Sequence, residues 1–426
     1  MKSTIQAIKG TRDFYPEEMS LRNFIYSAVR KVSESFGYQE WEGPLLESID
    51  LYAAKSGEEL VKEQAFVFPD RGGDLITLRP ELTPTLARLV AQRQKQLVYP
   101  LRWWSFGPFW RYERPQKGRA REFFQWNIDL IGVDTPEADA EIVAIGASFL
   151  REAGLTPDQV SILVGNRKLI SDELAALNIP LEQHKQALRL IDRRNKLTPQ
   201  EWRAYALESG LDASQIEGLE IVLANDQLWH KSEEMQRFFT LIDVLGVAEY
   251  VRFAPYIVRG LDYYTSIVFE AWDRDGEFRA ILGGGRYDNL VSAVGGEPLP
   301  ATGFAMGDMV VGLVMKKFGC LPQNLGASPA KILVTVFDQS SFATSFKLAA
   351  RLRQAGLNAA CYPEAAKLAK QIKYGDRMGM RLIVILGPDE QANGTFTLKD
   401  LRQGEQHTLP LDQAVSTIRQ ILVGGP

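Results

Sequence analysis

Cysteine is almost missing from this chain: Cys320 and Cys361 are the only two among 426 residues. A disulfide framework and a multi-cysteine zinc site are both excluded. Histidine is nearly as scarce. His184, His230 and His407 lie far apart with no partner signature, so each reads as a surface or packing residue. No apolar run is long enough to span a bilayer, and the opening MKSTIQAIKGTRDFYP lacks the apolar centre of a secretory signal. A reducing, cytoplasmic compartment is the expectation. Two familiar phosphate loops are wanting as well. LGGGRYDNL, residues 282–290, lacks the GK[ST] of a Walker A loop and opens no helix at GxGxxG spacing.

What is present is the apolar and charged content of a globular protein, in a chain too long for one ordinary core, so two or three domains are expected. The net charge of −4 argues against a general nucleic-acid coat, and any polyanion partner must meet a local patch. Helical periodicity runs over 21–36, with Leu21, Phe24, Ile25, Ala28, Val29, Val32 and Phe36 on one stripe and Gly37 as the stop. Residues 74–79 predict a strand and 83–94 a helix with Pro84 in its first turn. A strand-rich region follows from 101 to 132, then a helix ending at Gly154 and a short buried strand at 161–165.

Between about 167 and 249 helical patterns dominate and turn signals are sparse, which predicts a helical insertion within a larger unit. Strand texture returns at 250–256 and 266–272, and a last apolar helix covers 309–318. After a linker at 321–330, strands and helices alternate as in a small α/β domain with a partly parallel sheet. Residues 331–426 hold twelve Lys and Arg against eight Asp and Glu, leaving −8 on the remainder. Charge alone fits a polyanion-binding domain and a solvated basic face equally well. The expected boundaries are 1–325, interrupted by 167–249, and 330–426.

FWRYERPQKGRAREFFQW, residues 109–126, places five Arg and Lys between Arg111 and Arg121. Read as a hairpin, its second strand alternates Arg121, Phe123, Gln125, Asn127 and Asp129 against Glu122, Phe124, Trp126, Ile128 and Leu130. The latter set suits a core. The former mixes charges and amides, which suits a small ligand with both charges and hydrogen-bonding edges. Arg111, sharing a face with Glu113 on the first strand, offers a rigid fork to a phosphate, and Phe123 a surface for a base. A hairpin with a solvated charged face fits this stretch equally well. LRPELTP, residues 78–84, ends a strand on Glu81 and Thr83, groups that bind an ammonium. RGLDYYTSIVFE sets Arg259 before a turn and Tyr263 and Tyr264 at the entry to an apolar strand. In LGGGRYDNL three glycines stand where backbone must turn or approach closely.

These segments, in this order, resemble the histidyl-tRNA synthetases, a class II aminoacyl-tRNA synthetase family. KGTRDFYP, TLRPELTP, FWRYERPQKGRAREFFQ, RGLDYYTSIVFE, GGGRYD and GFAMGD carry the resemblance, which covers essentially the whole chain. It implies an α+β catalytic domain with an antiparallel sheet flanked by helices, ATP bent upon that sheet, and a C-terminal mixed-sheet domain that reads the tRNA anticodon. L-histidine, tRNA(His), ATP and Mg²⁺ would be the ligands, no membrane is involved, and a homodimer is expected. By position, Arg111 and Arg259 would meet the α-phosphate and the reacting carboxylate, Glu113 would lie near the adenine, for which the hairpin reading already offers Phe123, and Arg119 would meet the outer phosphates. Glu81, Thr83 and Gln125 would hold the α-amino group. Asp129 would face the imidazole with Tyr264 as its partner there, and Tyr263 and Tyr287 would line the histidine pocket.

One motif departs from the family. Its third motif closes with Glu-Arg, whereas ATGFAMGDMVVGLV has Met309 and Val310 there. Arg71 and Arg286 are the candidate replacements, and Asp308 is the expected helix cap. Two other readings stay open at this stage. One is a paralogue that binds histidine as a regulatory subunit of ATP phosphoribosyltransferase. The other is an RNA-binding module without catalysis.

Overall fold

A computed structural model describes residues 5–53, 64–260, 263–289, 291–323 and 325–423. Leu261 and Asp262 of RGLDYY, Leu290 and the linker residue Asn324 lie outside them. The chain divides into two compact units, Met1–Asp13 with Arg22–Leu321, and Phe14–Leu21 with Pro322–Pro426.

The first unit is organised by an eight-stranded sheet. In chain order the strands of this unit are β1 (Gln39–Glu40), β2 (Leu46–Ser48), β3 (Phe66–Pro69), β4 (Leu75–Leu78), β5 (Leu101–Trp110), β6 (Glu122–Ile131), β7 (Val160–Asn166), β8 (Val251–Phe253), β9 (Ile267–Asp273), β10 (Leu282–Tyr287) and β11 (Ala301–Gly307). The large sheet runs β1-β5-β6-β11-β10-β9-β7-β8. Its six central strands are antiparallel, as expected. At the edges the pattern differs: β1 joins β5 and β8 joins β7 in parallel. Both edge strands are short and reach the sheet through long connections, which leave strand direction open. A separate sheet, β2-β4-β3, carries the segment leading to Glu81 and Thr83.

The period-two pattern of β6 sorts the sheet's two faces. Trp126, Ile128 and Leu130 are buried against the helix Pro136–Glu152, which lies across β6, β11, β10, β9 and β7. The Trp126 ring sits 5.3 Å from Phe149 and 4.8 Å from Phe304. Thr135 caps the helix by accepting the Ala138 N–H, with Pro136 in the first turn. This helix is buried almost all round because Glu233–Val244 covers its outer side. That outer helix closes the expected helical stretch, which contains Arg167–Ala176, Leu181–Asp192, Pro199–Glu208 and Ala213–Ala224. It is tied inward as well: Arg237 donates to both Glu137 oxygens, and Asn166 and Ser266 donate to Glu234.

Arg286 belongs to this buried face rather than to any ligand site, which corrects one candidate for the missing cation. Its neighbours on β10, Gly285 and Tyr287, face the other way. Only 2% exposed, it donates through Nε to Asp139 (2.9 Å) and to the Val133 and Thr135 carbonyls (3.0 and 2.9 Å). Arg71 is exposed in the β3–β4 turn.

The second unit has a five-stranded mixed sheet, β13-β12-β14-β15-β16, built from β12 (Ile332–Val334), β13 (Ala359–Cys361), β14 (Leu382–Ile385), β15 (Thr395–Asp400) and β16 (Gln406–Pro410). The first three strands in that order are parallel and the last two antiparallel to their neighbours. Ile332, Val334, Leu348, Leu352, Leu382, Val384, Phe396 and Ile418 form its core. One element was not expected, a short helix at Pro388–Asn393.

Replacing Arg286 with methionine strands a fully buried carboxylate at Asp139. We expect a loss of about 3 kcal/mol or more in urea unfolding. An unchanged midpoint would show that the pair is not needed.

Candidate active site

The other face of β6 is hollow toward β11, whose residues there are small. In register, Gln125 lies opposite Gly107 and Gly307, Asn127 opposite Ser105 and Ala305, and Asp129 opposite Trp103 and Gly303. Gly283 adds a further gap beside Ala305. The result is a cavity of about 720 Å³. All twelve residues singled out from the sequence line it: Glu81, Thr83, Arg111, Glu113, Arg119, Phe123, Gln125, Asp129, Arg259, Tyr263, Tyr264 and Tyr287. Arg71 and Arg286 do not.

Arg111 stands one residue beyond the end of β5, so neither it nor Glu113 is on the strand as expected. Its backbone N–H still donates to the Arg121 carbonyl, closing the hairpin. The side chain is fixed by Nε, which donates to the Pro80 carbonyl at 2.9 Å, and by the Phe123 ring, 5.4 Å from the guanidinium carbon. Phe123 stacks on Phe109 behind it. Burial lowers the Arg111 pKa and nearby Glu81 opposes that effect. An arginine remains charged under either influence. Between the strands, Gly118 adopts φ +76° in a turn closed by Gln116 and Arg119. Arg119 folds back onto Glu113 in a close ion pair, so Glu113 positions this arginine. Arg121 leaves the cavity face: it packs over Tyr112 and against Gly10.

Arg259 arrives from the far side of the cavity with φ +49°, an uncommon conformation for a residue with a side chain. Its Nη1 donates to Glu270 at 2.8 Å, and Trp272 Nε1 donates to the other Glu270 oxygen at 3.0 Å. A β-carbon at Gly283 would overlap the Arg259 guanidinium. This is the close approach that the glycine run implied.

Asp129 lies deeper, 7% exposed, and accepts a close hydrogen bond from the Tyr287 hydroxyl. A β-carbon at Gly303 would overlap the same carboxylate. Burial raises the Asp129 pKa to about 7, with the Tyr287 bond pulling the other way. Burial and the neighbouring Asp129 hold the Tyr287 phenol well above its usual range, so it stays the donor. Tyr263 packs on Tyr264 at 4.6 Å and edge-on to Tyr287 at 6.3 Å.

Asp308 corrects a further expectation. Gly307 holds the N-cap position of the helix Asp308–Lys317. Asp308 instead accepts the Phe124 N–H (3.0 Å) and pairs with Arg12 (2.8 Å), joining the basic N-terminal segment to β6. Sequence reasoning assigned no role to Glu270, Asn127, Gln64, Arg189 and Arg279, which also line the cavity. Asn127 was on the right face by alternation. Nothing local singles out a turn residue such as Arg279.

The cavity is thus a polar hollow on an antiparallel sheet, lined by arginines from a hairpin and from a distant turn, and the comparisons with known proteins define the class as that of the class II aminoacyl-tRNA synthetases. The histidyl-tRNA synthetase family profile matches residues 10–309, and an anticodon binding domain profile matches 331–421. The chain is 37% identical to the histidine–tRNA ligase of Pyrococcus abyssi, covering 98% of this chain and 99% of that one. It is 35% identical to that of Leptospira biflexa, over 99% of each. The crystal structure of histidyl-tRNA synthetase from Nostoc superposes with a TM-score of 0.85 at 26% identity, covering 98% of this chain and 100% of that one. This chain belongs to the histidyl-tRNA synthetase family.

The Asp129 pKa can be checked by infrared difference titration. A carboxyl mode should titrate near pH 7, vanish in Asp129→Asn, and move to higher pH in Tyr287→Phe, which removes the bond that lowers it. A midpoint near the ordinary 3.8 would contradict the burial argument. The folded carboxyl holds its proton more tightly than the unfolded one. Its contribution to stability therefore falls as pH rises from about 4 to about 7.

Proposed function

We propose that this chain uses ATP to activate L-histidine and then transfers the histidyl group to the 3′ end of tRNA(His), with the cavity on β6 as the reaction site. The observation that carries this reading is that Arg111 and Arg259 line one cavity together with the Asp129–Tyr287 pair. The first two suit a phosphate and a carboxylate, the second pair an imidazole.

In the first step a histidine carboxylate oxygen attacks the α-phosphorus, and the bond to the β-phosphate breaks to release pyrophosphate. Arg111 and Arg259 hold the two reacting anions together and offset the charge on the phosphorus oxygens. In the second step the terminal ribose hydroxyl of tRNA attacks the adenylate carbonyl and AMP leaves. Neither step needs a protein nucleophile. Asp129 accepts an imidazole N–H while the Tyr287 hydroxyl, donating to Oδ1, holds the carboxylate in place, and a ligand without the ring donor leaves the other buried carboxylate oxygen without its partner. Glu81, Thr83 and Gln125 surround the α-ammonium, and Phe123 lies against adenine.

Among the described residues no group of three His, Cys, Asp or Glu could hold a metal ion. Mg²⁺ would arrive with the nucleotide rather than on a dedicated protein site and would supply charge neutralisation on its phosphates. The basic unit from 330 to 426 reads the tRNA, two copies of the chain associate through the catalytic unit, and the protein works in the cytoplasm. Among the described residues no helix is long and apolar enough to cross a membrane. An RNA-binding module leaves the polar cavity without a purpose.

Histidine-dependent ATP–pyrophosphate exchange tests the reading. The wild-type chain should catalyse it, and Arg111→Ala or Arg259→Ala should lower the rate ~10²-fold or more. No exchange by the wild type would refute it. The KM for histidine should rise as pH falls through about 7, because Asp129 must be ionised to accept the ring N–H. Asp129→Asn should raise that KM and flatten its pH dependence. A wild-type KM that stays constant from pH 6 to 8 would count against the assignment of Asp129.

A further inference from the structure

Among the cavity's cations, one is neither tied down nor used by the mechanism above. Arg119 is paired with Glu113 and Arg259 with Glu270. Arg111 is fixed by the Pro80 carbonyl, and Arg189 is already engaged by a neighbour. Arg279 also lines the cavity. Among the described residues it makes no hydrogen bond and no ion pair.

The turn that bears Arg279, between β9 and β10, is held firmly. Asp273 accepts the N–H groups of Glu277 and Phe278, each at 3.1 Å. Lys317 reaches Asp273, Asp275 and Glu277 together. The Phe278 ring has Lys117 at 4.6 Å and Lys317 at 5.6 Å from its centroid. Most telling is the bond from Lys117 Nζ to Glu277 at 2.9 Å. Lys117 lies two residues before Arg119, and Glu277 two residues before Arg279, so this bond joins the loops that carry both arginines. The helix side of the same cavity shows Asp308, already paired with Arg12, and then Met309 and Val310 but no cation, and Val310 lies 3.6 Å from where a β-carbon of Gly118 would stand. That wall is apolar where the basic loop passes it.

We propose that Arg279 binds the outer phosphates of ATP, paired with Arg119 across the Lys117–Glu277 bridge, and so supplies the cation that position 310 lacks. The inference rests on ATP being the nucleotide of this cavity. A rigid backbone with an unpaired guanidinium at the open rim is arranged for a charged ligand that enters and leaves. The cost of ordering the turn is met before binding, so most of the pairing free energy goes to affinity.

Two measurements on the 426-residue chain separate this inference from the reading it rests on. Equilibrium binding of ATP tests Arg279 directly. Arg279→Ala should weaken ATP at least ~10-fold, Arg279→Lys should recover part of the loss, and Arg279→Ala with Val310→Arg should recover more than Arg279→Ala alone. Pyrophosphate exchange then reads the split: the KM for ATP should rise while the KM for histidine stays within about twofold. Unchanged ATP binding in Arg279→Ala would overturn the proposal. So would a matched rise of both KM values with a lowered melting temperature, which would mark a merely structural residue. If wild-type exchange is absent yet ATP binding still depends on Arg279, histidine activation fails and the phosphate site stands.

Discussion

Steric exclusion at Gly283 and Gly303 is the constraint on which the site depends. A methyl group at either position would occupy the space now taken by the Arg259 guanidinium or the Asp129 carboxylate. Both glycines lie on central strands, where glycine is otherwise a weak choice. Their neighbours Ala305 and Gly307 extend the same hollow. A sheet that buried large side chains on both faces would be more stable and have no room for a ligand. Here one face is filled by Trp126, Ile128 and Leu130 against a helix, and the other is kept open.

The charged groups that line this opening are arranged in advance. Arg259 is held by Glu270, itself oriented by Trp272. Arg119 is held by Glu113, and Asp129 by Tyr287. Each pairing meets part of the desolvation cost that an isolated buried charge would incur. Preorganised charges in a partly desolvated cavity act more strongly on a developing phosphate charge than mobile ones in water. The same logic explains why burial raises the Asp129 pKa to about 7: among the described residues, the Tyr287 hydroxyl is what pulls it back down.

Much of this was legible in the chain. Alternation along β6 separated Phe123, Gln125, Asn127 and Asp129 from Trp126, Ile128 and Leu130 by sequence position alone. It did so because a strand's period is rigid and its buried face is strongly apolar. The helix ending near Gly154 and the apolar helix expected over 309–318 were also readable, although the second begins one residue earlier, at Asp308. What alternation could not give was the end of a strand: Arg111 and Glu113 lie past β5 because the turn around Gly118 takes the residues between. Nor could it tell which arginine faces a ligand. Arg286 looked suitable beside Tyr287, yet the same alternation turns it toward Asp139 and the helix start. Glu270 and Arg279 matter only through partners far away in the chain. The parallel edges β1 and β8 depend on long connections that leave no local mark.

The central claim is that two guanidinium groups, from Arg111 and from Arg259, address one phosphorus atom. The most direct test is a crystal structure of the chain with a non-hydrolysable histidyl-adenylate analogue. The account predicts both side chains within hydrogen-bonding distance of the α-phosphate and its adjoining carbonyl, with the imidazole on Asp129. An analogue bound with either arginine out of reach of that phosphate, or with its imidazole away from Asp129, would contradict it.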